Sequence, residues 1–133
     1  SKLGLITRTR ERLFAKKQAE YLSIKFRDIY QDVKDLSGGN KQKVVFGKWL
    51  GNESEIFILD CPTRGIDIGV KAFMYQLMYR LKKEGKSIVM ISEELLELIG
   101  MSDRIIIMKN GKIQNYFSRN PDLSEASLIK DMV

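Results

Sequence analysis

The sequence predicts an α/β protein built on a small parallel sheet. Two short apolar runs, EIFILD at 55–60 and SIVMIS at 87–92, are typical of strands that are buried on both faces of such a sheet. A helix-like segment at 69–84 lies between them and is stopped near Gly85. Because a strand, a helix and a second strand in this order form a right-handed crossover, we expect the two strands to lie side by side and parallel.

Two further helices are predicted ahead of the first strand, at 8–24 and 38–50. In each, apolar residues recur among charged ones at helical spacing. In the first helix they are Leu13, Phe14, Ala19, Tyr21 and Leu22, and in the second they are Val44, Val45, Trp49 and Leu50.

After the second strand, the pattern predicts a short helix at 93–100 and then a hairpin. Asn110-Gly111 separates two strand-like runs, which is the strongest short signal for a type I′ turn. A last helix is predicted at 122–132, beginning near Ser124.

The composition excludes several kinds of chemistry. Histidine is absent, so no imidazole can act as a base, a proton shuttle or a metal ligand. Cys61 is the single cysteine, which rules out an intramolecular disulfide, a zinc site and a Cys/His nucleophile pair. The net charge of +6 would suit an acidic partner, but the basic residues are interleaved with acidic ones, as on a solvated surface.

Two motifs are candidates for binding chemistry. The segment LSGGN, residues 36–40, comes directly before the predicted helix at 38–50. It is either a plain N-cap by Ser37 or an anion site at the positive end of a helix dipole. The segment ILDCPTRGID, residues 58–67, places Asp60 at the carboxyl end of a strand, where α/β proteins bind ligands. A solvated strand end or a helix cap is the simpler interpretation of that carboxylate.

Taken in order, LSGGN, ILDCPTRGID, SIVMIS and SDRIIIMKNGKI resemble the nucleotide-binding domain of ABC transporters over nearly the whole chain. The resemblance is greatest to the ATP-binding subunits of bacterial simple-sugar importers, in which PTRGID is followed by G-x-K. The matching residues are Thr63, Arg64, Gly65, Ile66, Asp67, Gly69 and Lys71. The resemblance implies a partial P-loop NTPase of the ABC type, from the second nucleotide-binding domain. Residues 1–52 would be part of its helical subdomain and 53–133 the C-terminal part of its RecA-like core.

The resemblance also implies roles for individual residues. Ser37, Gly38, Gly39 and Asn40 would contact the γ-phosphate of an ATP that is seated on a partner domain, and Asp67 would be a further nucleotide-binding residue. Asp60 would hold Mg²⁺.

The implied partners are the N-terminal nucleotide-binding domain of the same subunit and the transmembrane permease subunits. A sugar-binding protein is an indirect partner and nucleic acid is not one. The implied location is peripheral, on the cytoplasmic face of the bacterial inner membrane.

The sequence departs from the family pattern at its catalytic positions. Cys61 stands where the family has a water-polarising Glu, and Glu93 stands where it has the switch histidine. A thiol cannot replace a carboxylate in that role, so we interpret Cys61 as a small buried filler and expect this domain's own site to hydrolyse ATP poorly.

The phosphate loop GxxxxGK[ST] is absent from the sequence. Gly85-Lys86-Ser87 mimics its end, but a helix is predicted to end there and a strand to begin, whereas a phosphate loop runs from strand to helix. We therefore expect a fragment that is inactive by itself.

Two other functions are compatible with parts of the pattern. An ABC-type ATPase of DNA repair or translation would share the LSGG segment and would suit the positive charge. A plain interaction module would use the glycines only as a helix cap. PTRGID with G-x-K favours the sugar-import class over both.

Overall fold

The computed structural model describes residues 7–52 and 54–133. These residues form two compact units. The first comprises the described residues up to Glu55 together with Ile66–Val70, and the second comprises Ile56–Gly65 and Lys71–Val133.

The first unit is helical. Helix α1 spans Arg8–Tyr21, a single 3₁₀ turn spans Val33–Asp35, and helix α2 spans Gly38–Leu50. The prediction of α2 is confirmed, whereas α1 ends three residues before the predicted end at 24. It ends there because Leu22 leaves the helical conformation and Ser23 adopts a positive φ of 49°.

Helix α2 packs through its smallest residues. Its buried positions are Gly39, Phe46 and Gly47. A Cβ on Gly47 would lie 2.8 Å from a methyl carbon of Leu22, which is fully buried. Of the apolar residues predicted for this helix, Val45 and Trp49 are exposed.

The second unit contains the predicted parallel pair. Strand β1 spans Ile56–Asp60, helix α3 spans Ile68–Lys83, and strand β2 spans Ser87–Ile91. The strands pair in parallel register from Ile56 opposite Ser87 to Asp60 opposite Ile91. Helix α3 buries its apolar stripe, consisting of Met74, Leu77, Met78 and Leu81.

Helix α3 ends with a glycine, as the sequence predicts. Gly85 has a φ of 85°, and the N–H groups of Gly85 and Lys86 donate to the carbonyls of Lys82 and Leu81. This is the C-cap geometry in which glycine has no steric cost. Gly85-Lys86-Ser87 is thus a helix end followed by a strand, and not a phosphate loop.

One face of the parallel pair is bare, which corrects the prediction that both strands are buried on both faces. The exposed fractions are 64% for Ile56, 72% for Ile58, and 52% each for Val89 and Ile91. Alternate residues of a strand point to opposite faces, and Phe57 on the other face is buried. Within the part of the chain that the structure describes, these strands form a two-stranded sheet, and the four side chains remain exposed.

A hairpin and two helices complete the second unit. Helix α4 spans Leu95–Met101, strands β3 and β4 span Arg104–Lys109 and Lys112–Ser118, and helix α5 spans Glu125–Met132. The strands are antiparallel and are joined at Asn110 and Gly111, whose φ values of 52° and 73° are those of the predicted type I′ turn. Ser124 caps α5 through a capping box with Ser127.

A small core stabilises this part of the unit. It consists of Ile105, Ile107 and Leu128, with Leu95, Leu98, Ile99, Phe117 and Leu123 packed against it. The short helix α4 is thereby fixed to the hairpin and to α5.

Candidate functional site

The segment Leu36–Asn40, here called the signature turn, forms the N-terminus of α2 in the first unit. Ser37 occupies the N-cap position with extended backbone angles, and its carbonyl accepts the first intrahelical bond from the Lys41 N–H at 2.9 Å. Ser37 and Gly38 are exposed. A helix of 13 residues therefore presents its positive end to solvent at this turn.

The Ser37 side chain does not cap the helix, which corrects the N-cap interpretation. No side-chain hydrogen bond caps α2. The Ser37 hydroxyl accepts instead from the Asn40 side-chain amide at 3.0 Å, and the Asn40 carbonyl oxygen accepts from the Lys25 N–H at 3.0 Å. Asn40 thus holds the hydroxyl in place, and the Ser37 side chain accepts no hydrogen bond from the first backbone N–H groups of the helix.

The two glycines of the turn differ in their surroundings. A Cβ on Gly38 would have no atom within 4 Å, so this position is open. A Cβ on Gly39 would lie 2.2 Å from a methyl carbon of Val70. Open space above Gly38 is what close approach of an anion to the backbone requires. Gly39 has an internal packing reason to lack a side chain.

Asp67 also lies in the first unit and has a structural contact. Its carboxylate accepts a hydrogen bond from the Val70 N–H at 2.9 Å, which is the contact that an N-cap residue makes with the third residue of a helix. Asp67 therefore stabilises the start of α3. Its role in binding nucleotide stays a prediction.

In the second unit, Asp60 and Cys61 lie at the carboxyl end of β1. Asp60 is exposed, and Cys61 is half-buried with a positive φ of 44°. The Cys61 N–H donates to the Ile91 carbonyl at 2.9 Å, which ties this turn to the end of β2. The hydrogen bond with Asp60 raises the pKa of the Cys61 thiol, and burial and the charges of Asp60 and Glu93 act in the same direction against Arg64. The thiol is therefore held in its neutral form.

Glu93 follows β2 and faces solvent. Its carboxylate lies 3.9 Å from the Arg64 guanidinium. The exposed fraction is 75% for the Arg64 side chain and 78% for the Glu93 side chain. The structure thus brings Cys61, Arg64 and Glu93 together at the carboxyl edge of the sheet.

Glu97 is a site residue that the sequence reasoning missed. It is buried in α4, with 5% of its surface exposed, and one carboxylate oxygen accepts from the Thr63 hydroxyl at 2.5 Å. Its other oxygen accepts from the Ser92 hydroxyl. In the sequence, Thr63 stands out only as part of the PTRGID match. No local pattern pairs it with Glu97, since they are 34 residues apart.

A second ion pair borders this carboxylate. The Lys71 ammonium lies 2.5 Å from Glu94, and that hydrogen bond raises the pKa of Lys71. Burial, and next the hydrogen bond with Glu97, raise the pKa of the Tyr75 phenol. Lys71, the lysine of the G-x-K match, therefore has a structural partner within its own unit.

The donor set can be compared with what Mg²⁺ and ATP require. Among the described residues, no group of three or more acidic or cysteine side chains could enclose a metal ion. Mg²⁺ bound to a nucleotide needs only one or two protein carboxylates, because phosphates and water fill its remaining positions. The exposed Asp60 carboxylate fits that requirement, and the uncapped N-terminus of α2 fits a phosphate.

Similarity searches place the chain beside proteins of known family. No family model matches the chain. It is 47% identical over 109 residues to the arabinose import ATP-binding protein AraG 2 of Burkholderia cenocepacia, covering 82% of the chain and 21% of that protein. It is 42% identical over 126 residues to the ribose import ATP-binding protein RbsA of Shouchella clausii, covering 95% of the chain and 25% of that protein.

A third relative is the galactose/methyl galactoside import ATP-binding protein MglA of Pasteurella multocida. It is 47% identical over 113 residues, which cover 85% of the chain and 22% of that protein. The chain thus spans between about a fifth and a quarter of the length of these curated relatives.

Solved structures agree on the fold. A dimeric ATP-binding cassette in a post-hydrolysis state with ADP and phosphate superposes with a TM-score of 0.74 at 23% identity, over 89% of this chain and 51% of that one. A cassette of an ABC transporter in its ADP conformation superposes with a TM-score of 0.77 at 22% identity, over 96% of this chain and 52% of that one.

Proposed function

Since the chain is a homologue of the ATP-binding proteins of bacterial sugar importers and has the fold of an ATP-binding cassette, we propose that it acts in ATP-driven sugar uptake as part of such a subunit. The observation that supports this most directly is the signature turn. A long helix begins there without a side-chain cap, and open space lies above Gly38.

The role proposed for the signature turn is to complete an ATP site on a partner domain. The Ser37 hydroxyl and the backbone N–H groups of Gly38 and Gly39 would donate to the γ-phosphate, and the dipole of α2 would favour its charge. Asn40 would act indirectly, because its amide holds the Ser37 hydroxyl. The partner domain in this proposal is the N-terminal nucleotide-binding domain of the same subunit.

The site on this domain itself is proposed to be nearly silent. Asp60 would hold Mg²⁺ with the nucleotide phosphates, and the ion would neutralise charge on them. Cys61 keeps its proton and cannot polarise an attacking water as a carboxylate does. Glu93 adds a negative charge at the same edge, which disfavours a γ-phosphate.

Membrane attachment is proposed to come from partners. Among residues 7–52 and 54–133, no helix has the length and apolar character needed to cross a bilayer. The subunit would bind transmembrane permease subunits on the cytoplasmic face of the inner membrane, with a sugar-binding protein as an indirect partner. The import names of the relatives support this over an ATPase of DNA repair or translation.

The proposal is tested by three variants of the intact subunit, reconstituted with its membrane subunits. Ser37→Arg places a bulky cation where the partner's γ-phosphate approaches, so steady-state phosphate release should fall by about a hundredfold. Cys61→Ala should stay within about twofold of the parent, because the thiol already cannot orient water. Cys61→Glu should restore part of the activity of the site built on Asp60. The negative charge of Glu93 should limit that activity.

The opposite result would reverse the assignment of the two sites. If Cys61→Ala abolished phosphate release and Ser37→Arg preserved it, the working site would be the one built on Asp60. Circular dichroism of each variant provides the folding control.

A second prediction concerns the isolated chain. No GxxxxGK[ST] segment occurs in its 133 residues, and that loop supplies most of the phosphate contacts in this class. We expect isothermal calorimetry to detect no ATP binding to the chain at micromolar concentrations, while the intact subunit binds. Micromolar affinity in the chain would contradict the proposed division of labour between the domains.

A further inference from the structure

Two turns that carry candidate site residues share one buried acceptor. The first, residues 61–65, follows β1 and carries Cys61. The second, residues 92–94, follows β2 and carries Glu93. Glu97 accepts a hydrogen bond from Thr63 of the first turn and from Ser92 of the second, one on each carboxylate oxygen.

The burial of these groups indicates that the contact is a fixed part of the packed interior. Thr63 and Glu97 are only 4% and 5% exposed. A carboxylate in such surroundings is costly unless strong donors surround it, and a leucine would fill the same space in a short helix without that cost. Glu97 meets this requirement with two hydroxyl donors, one on each carboxylate oxygen.

Hydrogen bonds from backbone N–H groups connect the turns that carry the two hydroxyl groups to the candidate site residues. The Arg64 N–H donates to the Cys61 carbonyl at 3.1 Å, which closes the first turn around Thr63. The Glu94 N–H donates to the Ser92 hydroxyl oxygen at 3.1 Å, which closes the second turn beside Glu93. A displacement of either hydroxyl would move the residue that its turn presents.

We propose that Glu97 is a positioning residue that locks the turn after β1 and the turn after β2 into a single arrangement, and so sets the placement of Cys61 and Glu93. The significance of that placement for nucleotide chemistry rests on the proposed function. The placement itself can be tested on the chain without any nucleotide.

Cys61 serves as the reporter, because it is the single cysteine of the chain. The rate of its alkylation by N-ethylmaleimide is measured at one fixed neutral pH and divided by the rate in denaturant for the same variant. Glu97→Leu removes both acceptors at similar volume and should raise this normalised rate by about tenfold, because the first turn opens more often. Glu97→Gln should stay within about twofold, since its amide can accept from one hydroxyl and donate to the other.

Two single-hydroxyl variants separate the turns and remain informative if Glu97→Leu fails to fold. Thr63→Val should raise the alkylation rate of Cys61, whereas Ser92→Ala should change it little. Ser92→Ala should instead increase the hydrogen-exchange rate of the Glu94 amide. The matched control is Leu81→Ala in α3, which lowers the melting temperature by removing buried surface far along the helix from the turns.

The outcomes are distinct. Alkylation that rises in Glu97→Leu and Thr63→Val, recovers in Glu97→Gln and is unchanged in Leu81→Ala supports positioning. If the alkylation rate of Cys61 followed only the melting temperature across all variants, Glu97 would be a general stabilising residue and the proposal would be wrong. Altered labelling with unaltered ATP turnover of the intact Glu97→Leu subunit would uphold both the positioning role and the proposed silence of this site, whereas a large loss of turnover would uphold positioning and contradict that silence.

Discussion

Gly38 and Gly39 are adjacent and yet lack a side chain for different reasons. The LSGGN pattern predicts one function for both glycines, which is to allow close approach of the backbone to a phosphate. The structure supports that reason only at Gly38, where a Cβ would meet nothing. At Gly39 the space is already taken by the Val70 side chain, near the start of α3. A single motif therefore contains one position open to a ligand and one position fixed by internal packing.

This difference predicts opposite effects on stability for the same substitution. Gly38→Ala should leave the free energy of unfolding unchanged or raise it by up to about 1 kcal/mol, because alanine favours the helix. Gly39→Ala should lower it by about 1–3 kcal/mol, because the new methyl group overlaps the Val70 side chain. Urea denaturation of both variants beside the parent measures the two changes.

The double variant Gly39→Ala/Val70→Ala provides the control. Shortening Val70 removes the overlapping methyl group, so the double variant should be more stable than the sum of the two single changes predicts. Equal stability losses for Gly38→Ala and Gly39→Ala would show that helix backbone properties, and not Val70, determine the cost.

At the scale of elements, an ion pair joins the end of α3 to the start of β3. The Lys82 ammonium lies 2.5 Å from the Asp103 carboxylate, and both side chains are at least half exposed. The hydrogen bond with Lys82 lowers the pKa of Asp103, and the charges of Lys82, Arg119 and Arg104 act in the same direction against burial. A carboxyl group whose pKa is lowered in the folded state stabilises the fold at each pH at which it is ionised.

The sign of the pH dependence follows from that direction. The contribution is present above the pKa of Asp103 in the unfolded chain, and it is lost as the pH falls through the lower pKa of the folded state. Asp103→Asn should therefore cost about 0.2–1 kcal/mol at pH 7, within the range of exposed ion pairs. The difference between variant and parent should disappear below about pH 2, where the carboxyl is protonated in both states.

Thermal unfolding from neutral to acidic pH, at low and at high salt, checks this prediction. Salt should reduce the difference at neutral pH, because the pair is exposed. A difference that persisted unchanged at acidic pH would assign the effect of Asp103→Asn to the backbone and not to the charge.

The elements that the sequence predicts well are those with local signals. Asn110-Gly111 specifies its turn through two positive φ values, and Gly85 ends α3 for the same conformational reason. The irregularity between Ile107 and Met108 in the hairpin has no comparable signal. The Glu97 contacts were also missed, because a glutamate on a short helix shows nothing of the hydroxyls that reach it from two distant turns.

For the whole second unit, the most unusual feature is the bare face of the β1–β2 pair. Apolar composition correctly indicated strands, but burial depends on what packs against a sheet, and the strands themselves do not encode it. Ile56, Ile58, Val89 and Ile91 together form a contiguous exposed apolar surface. Surfaces of this kind on an isolated domain promote association.

We therefore predict that the isolated chain self-associates as its concentration rises, and that Ile58→Lys suppresses this. The substitution places a charge at the most exposed isoleucine of the face, so the concentration for half-association should rise by about tenfold. Sedimentation velocity across a concentration series gives the measurement.

Leu96→Lys is the matched control, since it charges an exposed apolar residue of α4 outside the face. It should leave association unchanged. A parent chain that stayed monomeric throughout, or an equal effect of both lysines, would show that the bare face does not drive association.

The division of the chain into two units has a consequence for the time course of synthesis. The segment Ile66–Val70 belongs to the first unit, yet it is made after β1 of the second. Val70 contacts α2 at Gly39, so the helical unit lacks this part of its packing while the ribosome is still extending the chain through the strand. Domains usually fold from the N-terminus as they emerge, at about 5–20 residues per second. Here the earlier unit cannot complete its packing at Gly39 until Val70 has been made.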